Sequence, residues 1–399
     1  MAANKEFKVL IIGGGNCGLL IATGLKKHGI NYTVFERDNE YDFVHKPRDW
    51  GMLLHWGTEY LYKPLPTHLQ ARFKEPRVDP SVEVFDPIPY FHGASGEILK
   101  RVTTKEINRV SRKKLRKFLS EGEDLNLEFN KRVQGVEVKD DIVKVTFEDG
   151  TTATGNMLIG ADGSNSKVRE FLVGHDAAQE EEIGLTTINF PWGGYTDEQA
   201  RFLTSHHPIV QLSFAENMGS ALLAVLDTPD SKDSKEWKFQ HYTSWWGPPY
   251  AKDLEDPAVR TKFFKERMAR WCEPFRTAGV AVSDDAVIPI FPGRQWAPTM
   301  EWDNSGGKVT LAGDAAHSML PHRGQGLNNA VKDASDLVDA IQAAATGSKS
   351  LSEAVTAYEA EMKPRGAKEV ALSLEQAKSS RNVETWKESA MARVGHSRV

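Results

Sequence analysis

The most constraining feature of the sequence is a glycine-rich turn that joins an apolar run to a helical pattern. The run Val9–Ile12 leads directly into Gly13-Gly14-Gly15-Asn16-Cys17-Gly18. Consecutive apolar residues without alternation are typical of a strand that is buried on both faces of a parallel sheet. An apolar stripe over 17–28 predicts a helix that Gly29 ends, and 32–35 predicts a second strand. The chain is therefore expected to begin with a βαβ unit.

Three spaced glycines and an acidic residue give this unit a predicted binding function. Gly13 permits a tight turn, Gly15 lets the backbone approach a pyrophosphate, and Gly18 lets the helix pack on the strand. The helix N-terminus then directs its N–H groups and its positive dipole end at the phosphates. Glu36 ends the second strand, where it can accept hydrogen bonds from a ribose, and the adjoining Arg37 is a further candidate contact. The motif predicts a dinucleotide site that fits NAD and FAD equally well.

Two later segments each place an aspartate at the carboxyl end of a buried strand, where ligands bind in such sheets. Asp162-Gly163 follows the predicted strand 158–160, and Gly313-Asp314 follows the predicted strand 309–312. Asp314 is placed to bind ribityl hydroxyls. The loop after it exposes backbone N–H groups at the start of a helix, which can stabilise negative charge on a reduced flavin ring. The loop residues predicted to contact the cofactor are Pro321, Gly324, Gln325, Gly326, Leu327 and Asn328.

In order and separation, the three segments resemble the fingerprints of the group A FAD-dependent monooxygenases, the para-hydroxybenzoate hydroxylase-like family. The resemblance spans residues 7–370 and assigns FAD to the glycine loop. It implies an α/β fold, in which a Rossmann-like FAD-binding domain carries an inserted antiparallel-sheet substrate domain and a C-terminal helix. The family's Arg-x-x-Leu-x-x-x-Leu element matches Arg112, Leu115 and Leu119. The resemblance therefore implies that Arg112 contacts FAD.

Changes in sequence pattern divide the chain into three expected parts. The discontinuous FAD-binding domain takes residues 1–80, 101–180 and 290–345, the substrate domain takes 81–100 and 181–289, and 346–399 form a C-terminal helical segment. Predicted elements include strands near 83–85 and 97–101, a helix over 108–122, a β-meander over 132–157, antiparallel strands within 186–245, and helices over 327–345 and 351–379. Seven of the ten tryptophans lie between Trp192 and Trp302, which favours a bulky, flat substrate.

The resemblance also implies the chemistry. NAD(P)H binds transiently in this family, without a second nucleotide domain, and reduces FAD by hydride transfer. O₂ then adds to the ring, and the resulting C4a-hydroperoxyflavin delivers one oxygen atom by hydroxylation or epoxidation. Because the cofactor supplies the reactive group while the protein positions the substrate and excludes water, neither a metal nor a Ser/His/Asp triad is expected.

Candidate residues on the substrate side come from position alone. Tyr242 and Trp246 share one face of a predicted strand and are candidates for a catalytic aromatic wall. Residues 321–328 are called the flavin loop here. Arg323 adds a cation beside this loop and is a third catalytic candidate. Arg48 lies where relatives carry a mobile flavin-contacting loop, so it is a candidate contact to FAD or to the phosphates of NAD(P)H.

Histidines supply the other candidate acid and base groups, and the predicted substrate is an aromatic or indole-like small molecule. His317 stands apart from them, because its position beside Gly313-Asp314 predicts that it supports that turn. The acid/base candidates are His55, His92 and His241.

Composition limits the partners. A net charge of −5 and a pI of about 6.2 lack the basic excess of a nucleic-acid surface, so no nucleic acid is expected. Cys17 and Cys272 are too few for a disulfide framework, which fits a reducing compartment. No stretch of the sequence reaches 18 consecutive apolar residues, so we expect a cytoplasmic protein without a membrane partner. The sequence leaves the oligomeric state open.

Other functions on the same fold remain open at this level. Flavin halogenases of this type carry a Trp-x-Trp-x-x-Pro motif, which does not occur here, and a reductase of isoprenoid double bonds is a second alternative. A non-catalytic flavin-binding protein would have less need of Asp314 and the Gly324-Gln325-Gly326 turn. An NAD-dependent dehydrogenase would have no use for the late Gly-Asp segment.

Overall fold

A five-stranded parallel sheet and a seven-stranded mixed sheet dominate the fold, and a three-stranded and a two-stranded sheet lie beside them. The structure is a computed structural model that describes residues 7–83, 87–103, 107–229 and 233–395. The strands in chain order are β1 (Lys8–Ile12), β2 (Asn31–Phe35), β3 (Gly51–Leu54), β4 (Ile88–His92), β5 (Ile98–Val102), β6 (Asn108–Ser111), β7 (Leu127–Glu128), β8 (Val133–Lys139), β9 (Ile142–Phe147), β10 (Thr152–Gly155), β11 (Met157–Gly160), β12 (Glu181–Trp192), β13 (Val210–Ala215), β14 (Gly219–Asp227), β15 (Lys238–Trp246), β16 (Ile290–Gln295) and β17 (Val309–Leu311).

The α-helices are α1 (Asn16–Lys27), α2 (Glu40–His45), α3 (Thr58–Tyr62), α4 (Thr67–Ala71), α5 (Arg112–Ser120), α6 (Lys167–Val173), α7 (Asp197–Leu203), α8 (Pro257–Met268), α9 (Phe275–Val280), α10 (Asp314–His317), α11 (Gly326–Ala345), α12 (Leu351–Ser379), α13 (Val383–Glu388) and α14 (Ala390–Val394). Short 3₁₀ turns lie at Ser234–Glu236, Ala251–Leu254 and Pro321–Arg323.

The glycine-rich turn follows strand β1 of a parallel sheet with the order β17-β11-β1-β2-β7. β1 lies at its centre with Leu10 and Ile11 fully buried. These two side chains point to opposite faces, as strand geometry requires. A Cβ on Gly18 of α1 would approach Ile11, and a Cβ on Gly155 of the β-meander would approach Leu10. Both faces of the sheet are therefore covered, which explains the unbroken apolar run, and the predicted βαβ unit is confirmed.

One predicted helix begins later than expected. Residues 108–111 form strand β6, which pairs antiparallel with β3, and α5 starts only at Arg112. The side chain of Ser111 accepts a hydrogen bond from the backbone N–H of Lys114 and caps the helix. The prediction over 108–122 was wrong at its start because pairing with β3, far away in sequence, overrides a helical pattern. The strand expected near 83–85 falls largely outside the described residues.

The second sheet is mixed, with order β16-β12-β15-β14-β13-β4-β5. Its neighbours are antiparallel except for β13 and β4, which run parallel. Helices α8 and α9 cover one face through a core that includes Phe190, Phe264 and Trp245, and the other face looks toward the parallel sheet. The antiparallel strands predicted within 186–245 are confirmed. β16 also pairs in this sheet, although the sequence placed residue 290 onward in the FAD-binding domain.

The C-terminal part returns across both sheets. Helix α12, whose predicted bounds 351–379 are confirmed, packs along α11. Helices α13 and α14 then fold back against α12 and β5, where Lys100 donates a hydrogen bond to the carbonyl of Ala392. Among the helices of the described residues, none combines the length and the apolar character that a membrane span requires.

Candidate active site

A cavity of about 520 Å³ lies between the two sheets. Its wall begins at the glycine loop with Gly15, passes Arg112 and Asp314, and reaches Tyr242 on the mixed sheet. Trp386 of α13 lines its far end. One continuous space therefore connects the predicted dinucleotide site to the predicted substrate domain.

The three motif glycines have different physical roles. Gly13 has φ +108°, and a Cβ there would lie 2.3 Å from the carbonyl oxygen of Ala161. A Cβ on Gly18 would lie 2.1 Å from the carbonyl oxygen of Gly13. A Cβ on Gly15 would meet no protein atom within 4 Å. Gly13 and Gly18 are thus required by the fold itself, whereas Gly15 keeps space open on the cavity side.

The N-terminus of α1 fits an anionic ligand. Gly15 precedes the helix, and no side chain caps its first turn. Oδ1 of Asn16 is buried without a hydrogen-bond partner among the described residues. Glu36 is 8% exposed, and its carboxylate accepts hydrogen bonds from the backbone N–H groups of Gly14 (2.8 Å) and Asp38 (2.9 Å). These contacts hold the carboxylate at the end of β2, while Arg37 is exposed beside it.

Two arginines flank an aromatic ring at the middle of the cavity. The guanidinium carbons of Arg48 and Arg112 lie 5.1 Å and 4.7 Å from the ring centroid of Trp50, and all three residues line the cavity. Burial lowers the pKa of Arg112, and Asp49 and Asp314 act in the opposite direction. The predicted Arg112 contact therefore lies beside the predicted Asp314 contact, a cation and an anion next to the same space.

The two aspartates are placed differently. Oδ2 of Asp162 accepts a hydrogen bond from the backbone N–H of Lys167 at 2.8 Å, so this carboxylate holds the start of α6. Its neighbour Gly163 lines the cavity. Asp314 follows β17 and both lines the cavity and is exposed. Asp314 is thus the better placed of the two to bind hydroxyl groups of a cofactor.

Some residues of the flavin loop line the cavity, and others are buried behind the loop. Pro321, Gly324, Gly326 and Leu327 line the cavity, and Gly324 takes the left-handed conformation with φ +64°. The side chain of Gln325 is 1% exposed and accepts a hydrogen bond from Nε1 of Trp56.

Asn328 is fully buried behind the loop. Its Oδ1 accepts from the backbone N–H groups of His55 (2.9 Å) and Gly57 (3.1 Å), and its Nδ2 donates to the carbonyls of Leu53 (2.9 Å) and Gly324 (3.0 Å). The side chain ties the flavin loop to the end of β3, so any cofactor contact of Asn328 falls to its backbone.

A buried network supports the turn before Asp314. Oδ2 of Asp333 accepts a hydrogen bond from the backbone N–H of Gly313 at 2.8 Å and contacts Nε2 of His317 at 2.6 Å, while Oδ1 accepts from Arg365 at 2.7 Å. His317 and Arg365 hold the pKa of the Asp333 carboxyl far below its usual range despite burial. This geometry is the supporting role that the sequence predicted for His317.

The substrate wall is a row of side chains across the mixed sheet. In register, Asn189 pairs with Tyr242, Tyr242 with Leu222, Leu222 with Leu212, and Leu212 with Tyr90. All five line the cavity. The row is mainly aromatic and aliphatic with a polar end, as expected for a flat organic ligand.

Trp386 closes this wall from another part of the chain. It is 2% exposed, and its ring centroid lies 5.1 Å from that of Tyr90 and 4.8 Å from that of Phe214. No sequence pattern placed residue 386 in the site, because only the return of α13 brings it there.

A histidine that the sequence analysis did not select lies beside the flavin loop. Nε2 of His322 lies 3.1 Å from Oγ of Ser244 and 3.5 Å from the hydroxyl of Tyr242. Its Nδ1 is buried and has no hydrogen-bond partner in the described parts of the chain. Burial lowers the pKa of His322 to about 4, so the ring is neutral near pH 7. The Pro321–Gly324 loop was the one available indication.

Two predicted catalytic side chains lie outside the cavity. Arg323 is fully buried, and its Nη1 lies 2.6 Å from the carboxylate of Glu369 on α12. Trp246 packs under α12, with Nε1 donating to the carbonyl of Ala377 at 3.3 Å and Arg381 above its ring. Because Trp246 shares a face with Tyr242 but lies four residues further along β15, it passes beyond the cavity. Their positions argue for structural roles, in place of the catalytic roles that we expected.

The predicted acid/base histidines also lie elsewhere. His55 contacts Asn328 behind the flavin loop, and His92 contacts Ser95 near the end of β4. His241 is 2% exposed on the α8 side of the sheet, where its Nε2 lies 2.7 Å from the hydroxyl of Tyr195. Burial lowers its pKa to about 3.

The parallel sheet with its glycine loop and the cavity beside it are those of an FAD-binding oxidoreductase. Residues 6–193 and 255–373 match the family described as FAD binding domain. The chain is 33% identical over 386 residues to FAD-dependent monooxygenase phnB of Penicillium herquei, covering 94% of this chain and 91% of that protein. It is 35% identical over 388 residues to FAD-dependent monooxygenase cctM of Talaromyces islandicus, covering 96% and 94%. The chain belongs to the FAD-dependent monooxygenases.

A solved structure agrees on the fold. The crystal structure of Klebsiella pneumoniae HpxO complexed with FAD and uric acid superposes with a TM-score of 0.75 at 22% sequence identity, covering 97% of this chain and 94% of that one. The predicted fold class, the FAD cofactor and the monooxygenase class are thereby confirmed.

Proposed function

We propose that this monooxygenase uses NAD(P)H and O₂ to insert one oxygen atom into an aromatic or indole-like small molecule, by hydroxylation or epoxidation, as a step of specialised metabolism in the cytoplasm. The observation that carries the proposal is the single cavity that leads from the glycine loop to the aromatic row of the mixed sheet. It allows an extended cofactor to present its reactive end to a flat substrate.

The residues present fit FAD. The uncapped N-terminus of α1 suits the pyrophosphate, the carboxylate of Glu36 suits the adenosine ribose, and Asp314 suits the ribityl hydroxyls. Arg112 neutralises part of the phosphate charge. When bound, FAD supplies hydride acceptance and O₂ activation. The exposed Arg48, which lines the same cavity, is our candidate for contact with the phosphates of NAD(P)H.

The chain's own contribution is positioning and proton transfer. Tyr90, Leu212 and Trp386 hold the ring of the substrate and keep water away from it. Aromatic hydroxylation is assisted when a phenolic proton can leave. The neutral imidazole of His322, placed between Ser244 and Tyr242, is the acceptor that the cavity offers. In the tautomer whose Nε2–H donates to Oγ of Ser244, Nδ1 is the ring atom that is left to accept the proton.

The test begins with purified protein that carries FAD. Absorbance at the flavin bands should bleach with NADPH or NADH in the absence of air, and faster when a substrate is present. A screen of phenols and indoles under isotopically labelled O₂, followed by mass spectrometry, should find a product that contains one labelled oxygen atom. Flavin reduction without any labelled product would favour the alternative of a flavin-dependent reductase.

A variant tests the assignment of His322. His322→Gln should lower kcat for a phenolic substrate about 100-fold, in the usual range for loss of a general base, while FAD content stays at the wild-type level. Thr243→Ser, on the opposite face of β15, is the matched control and should keep kcat. An unchanged kcat in His322→Gln would remove His322 from the mechanism.

A further inference from the structure

A buried cation in the cavity wall makes no ion pair among the described residues. Arg109 on β6 is 3% exposed and lines the cavity. Its Nη2 donates to Oε1 of Gln240, and its Nε donates to the carbonyl of Val225 at 3.4 Å. Both acceptors are neutral. The charge of Asp49 attracts the guanidinium, but no ion pair among the described residues includes Arg109. A buried charge without a counter-ion is costly, so such groups are usually paired.

The neighbours hold this side chain in place. Oε1 of Gln240 also accepts from the backbone N–H of Gly51 at 2.8 Å, and Nε2 of Gln240 donates to Oδ1 of Asn189 at 2.8 Å. These two bonds fix the amide with its oxygen toward Arg109. A Cβ on Gly51 would lie 2.5 Å from the guanidinium, so a larger residue there would require the guanidinium to shift. The guanidinium is thus held in the cavity wall by its hydrogen bonds to Gln240 and Val225.

We propose that Arg109 binds an anionic oxygen of the substrate, so that the preferred substrates are acidic aromatic molecules whose carboxylate or ionised hydroxyl lies against Arg109, Gln240 and Asn189. The proposal rests on the monooxygenase function proposed above and adds the charge of its substrate. Burial lowers the pKa of Arg109 to about 9, and the opposing attraction of Asp49 offsets only part of this shift.

Position separates this group from the cofactor end. Arg109 reaches across to β14 and β15 of the mixed sheet, where its two hydrogen-bond acceptors lie. Arg112, three residues later, stacks on Trp50, and the charges of Asp49 and Asp314 attract it. Arg109 therefore contacts the mixed sheet, whereas Arg112 lies beside the cofactor end of the cavity.

The experiment compares two isosteric probes on the FAD-loaded protein without NAD(P)H. 2-Naphthoate and 2-naphthamide are titrated separately, and binding is followed by perturbation of the flavin absorbance. The wild-type protein should bind the anion at least 10-fold more tightly than the amide. In Arg109→Gln this preference should disappear while FAD content is unchanged. Equal affinity of the wild type for both probes, or binding of neither, would overturn the proposal.

A second variant avoids dependence on the folding of Arg109→Gln. Gln240→Glu supplies a carboxylate at hydrogen-bond distance from Arg109, which removes the uncompensated charge without removing the side chain. It should also abolish the preference for 2-naphthoate. Arg132→Gln, an exposed arginine paired with Glu148 on the β-meander, is the charge-matched control and should keep the preference.

The same measurements separate the substrate from the flavin as the source of the anion. If Arg109→Gln weakens FAD binding or shifts the flavin reduction potential but keeps the 10-fold preference for 2-naphthoate, Arg109 serves the cofactor and the proposal is wrong. Because no turnover is measured, a preserved anion preference in a protein that forms no oxygenated product would contradict the proposed function alone.

Discussion

The two ends of the cavity are built in different ways. The cofactor end consists of loops at the carboxyl ends of neighbouring parallel strands β1, β11 and β17, each encoded by a contiguous segment. The substrate end consists of side chains from five strands that meet only through sheet register, and it is closed by Trp386 from the end of the chain. The shape of the cofactor end is therefore determined by local backbone conformation, and the shape of the substrate end by the pairing of strands that are distant in sequence.

This difference explains how each end tolerates change. At the cofactor end the ligand approaches the backbone, so an added methyl group has a defined and local effect. At the substrate end each side chain contributes a part of the surface, so substitutions alter affinity by degrees and selectivity is adjustable.

The largest effect is expected at Gly18. In Gly18→Ala the new Cβ would lie 2.1 Å from the carbonyl oxygen of Gly13, so the first turn of α1 must move and the protein should be destabilised by about 3 kcal/mol and lose FAD. Gly15→Ala should fold normally, because its φ of −77° suits any residue and no protein atom lies within 4 Å.

Gly15→Ala should nonetheless bind FAD at least 10-fold more weakly, since its methyl group occupies the space of the cofactor. Urea unfolding of the apoproteins and FAD titration distinguish the two variants. Equal loss of stability in both would show that the glycine loop is not divided between fold and ligand in the way that the geometry indicates.

The difference between the two ends of the cavity also determines which site residues could be predicted from the sequence. The glycine loop, Asp314 and the flavin loop were predicted because each requires a particular backbone conformation at the end of a strand. Residue types such as glycine indicate that conformation directly in the sequence. Tyr242 was found by alternation along one strand. Alternation also put Trp246 on the same face, but the structure places Tyr242 in the cavity and Trp246 under α12. Where α12 crosses β15 decides between the two positions, and no local sequence pattern contains that information.

The cavity residues that the sequence patterns missed share a physical cause. Arg109 lay inside a predicted helix, and its partners Val225 and Gln240 are more than 100 residues away in sequence. Trp386 depends on the return of α13. The prediction for Arg323 failed in the opposite direction, because the sequence shows a cation beside a loop but not the buried Glu369 that pairs with it.

A smaller effect is expected where the two ends meet. Asn328→Ala removes the side chain that ties the flavin loop to β3 and leaves buried N–H and carbonyl groups unsatisfied, at a cost of about 2 kcal/mol. FAD affinity should fall as well. Asn304→Ala loses bonds to Gly307 and Glu359 away from the cavity and should lower stability while keeping FAD affinity. Unchanged FAD affinity in Asn328→Ala would show that the loop holds its shape alone.

At the substrate end, Trp386→Leu should weaken the binding of 2-naphthoate about 5-fold, because stacking of an aromatic ligand contributes about 1 kcal/mol beyond burial. Trp246→Leu loses comparable packing under α12 but should leave the affinity unchanged. FAD content should be unaffected in both. A reduced affinity in Trp246→Leu would restore this residue to the site in which the sequence placed it.

The smallest effect tests the face of the mixed sheet that is turned away from the cavity. The pKa of His241 is about 3 in the folded protein, against 6.5 for an unperturbed histidine. Between these values the unfolded chain binds the extra proton, so stability rises with pH and falls as the medium is acidified. This residue alone should make the free energy of unfolding about 1 kcal/mol lower at pH 5.5 than at pH 6.5. His241→Gln should lose that part of the pH dependence in urea unfolding, without a change in FAD or 2-naphthoate affinity. A His241→Gln variant that keeps the full slope would assign it to other groups, such as His322 in the cavity, whose contribution should respond to bound ligand because its ring lines that space.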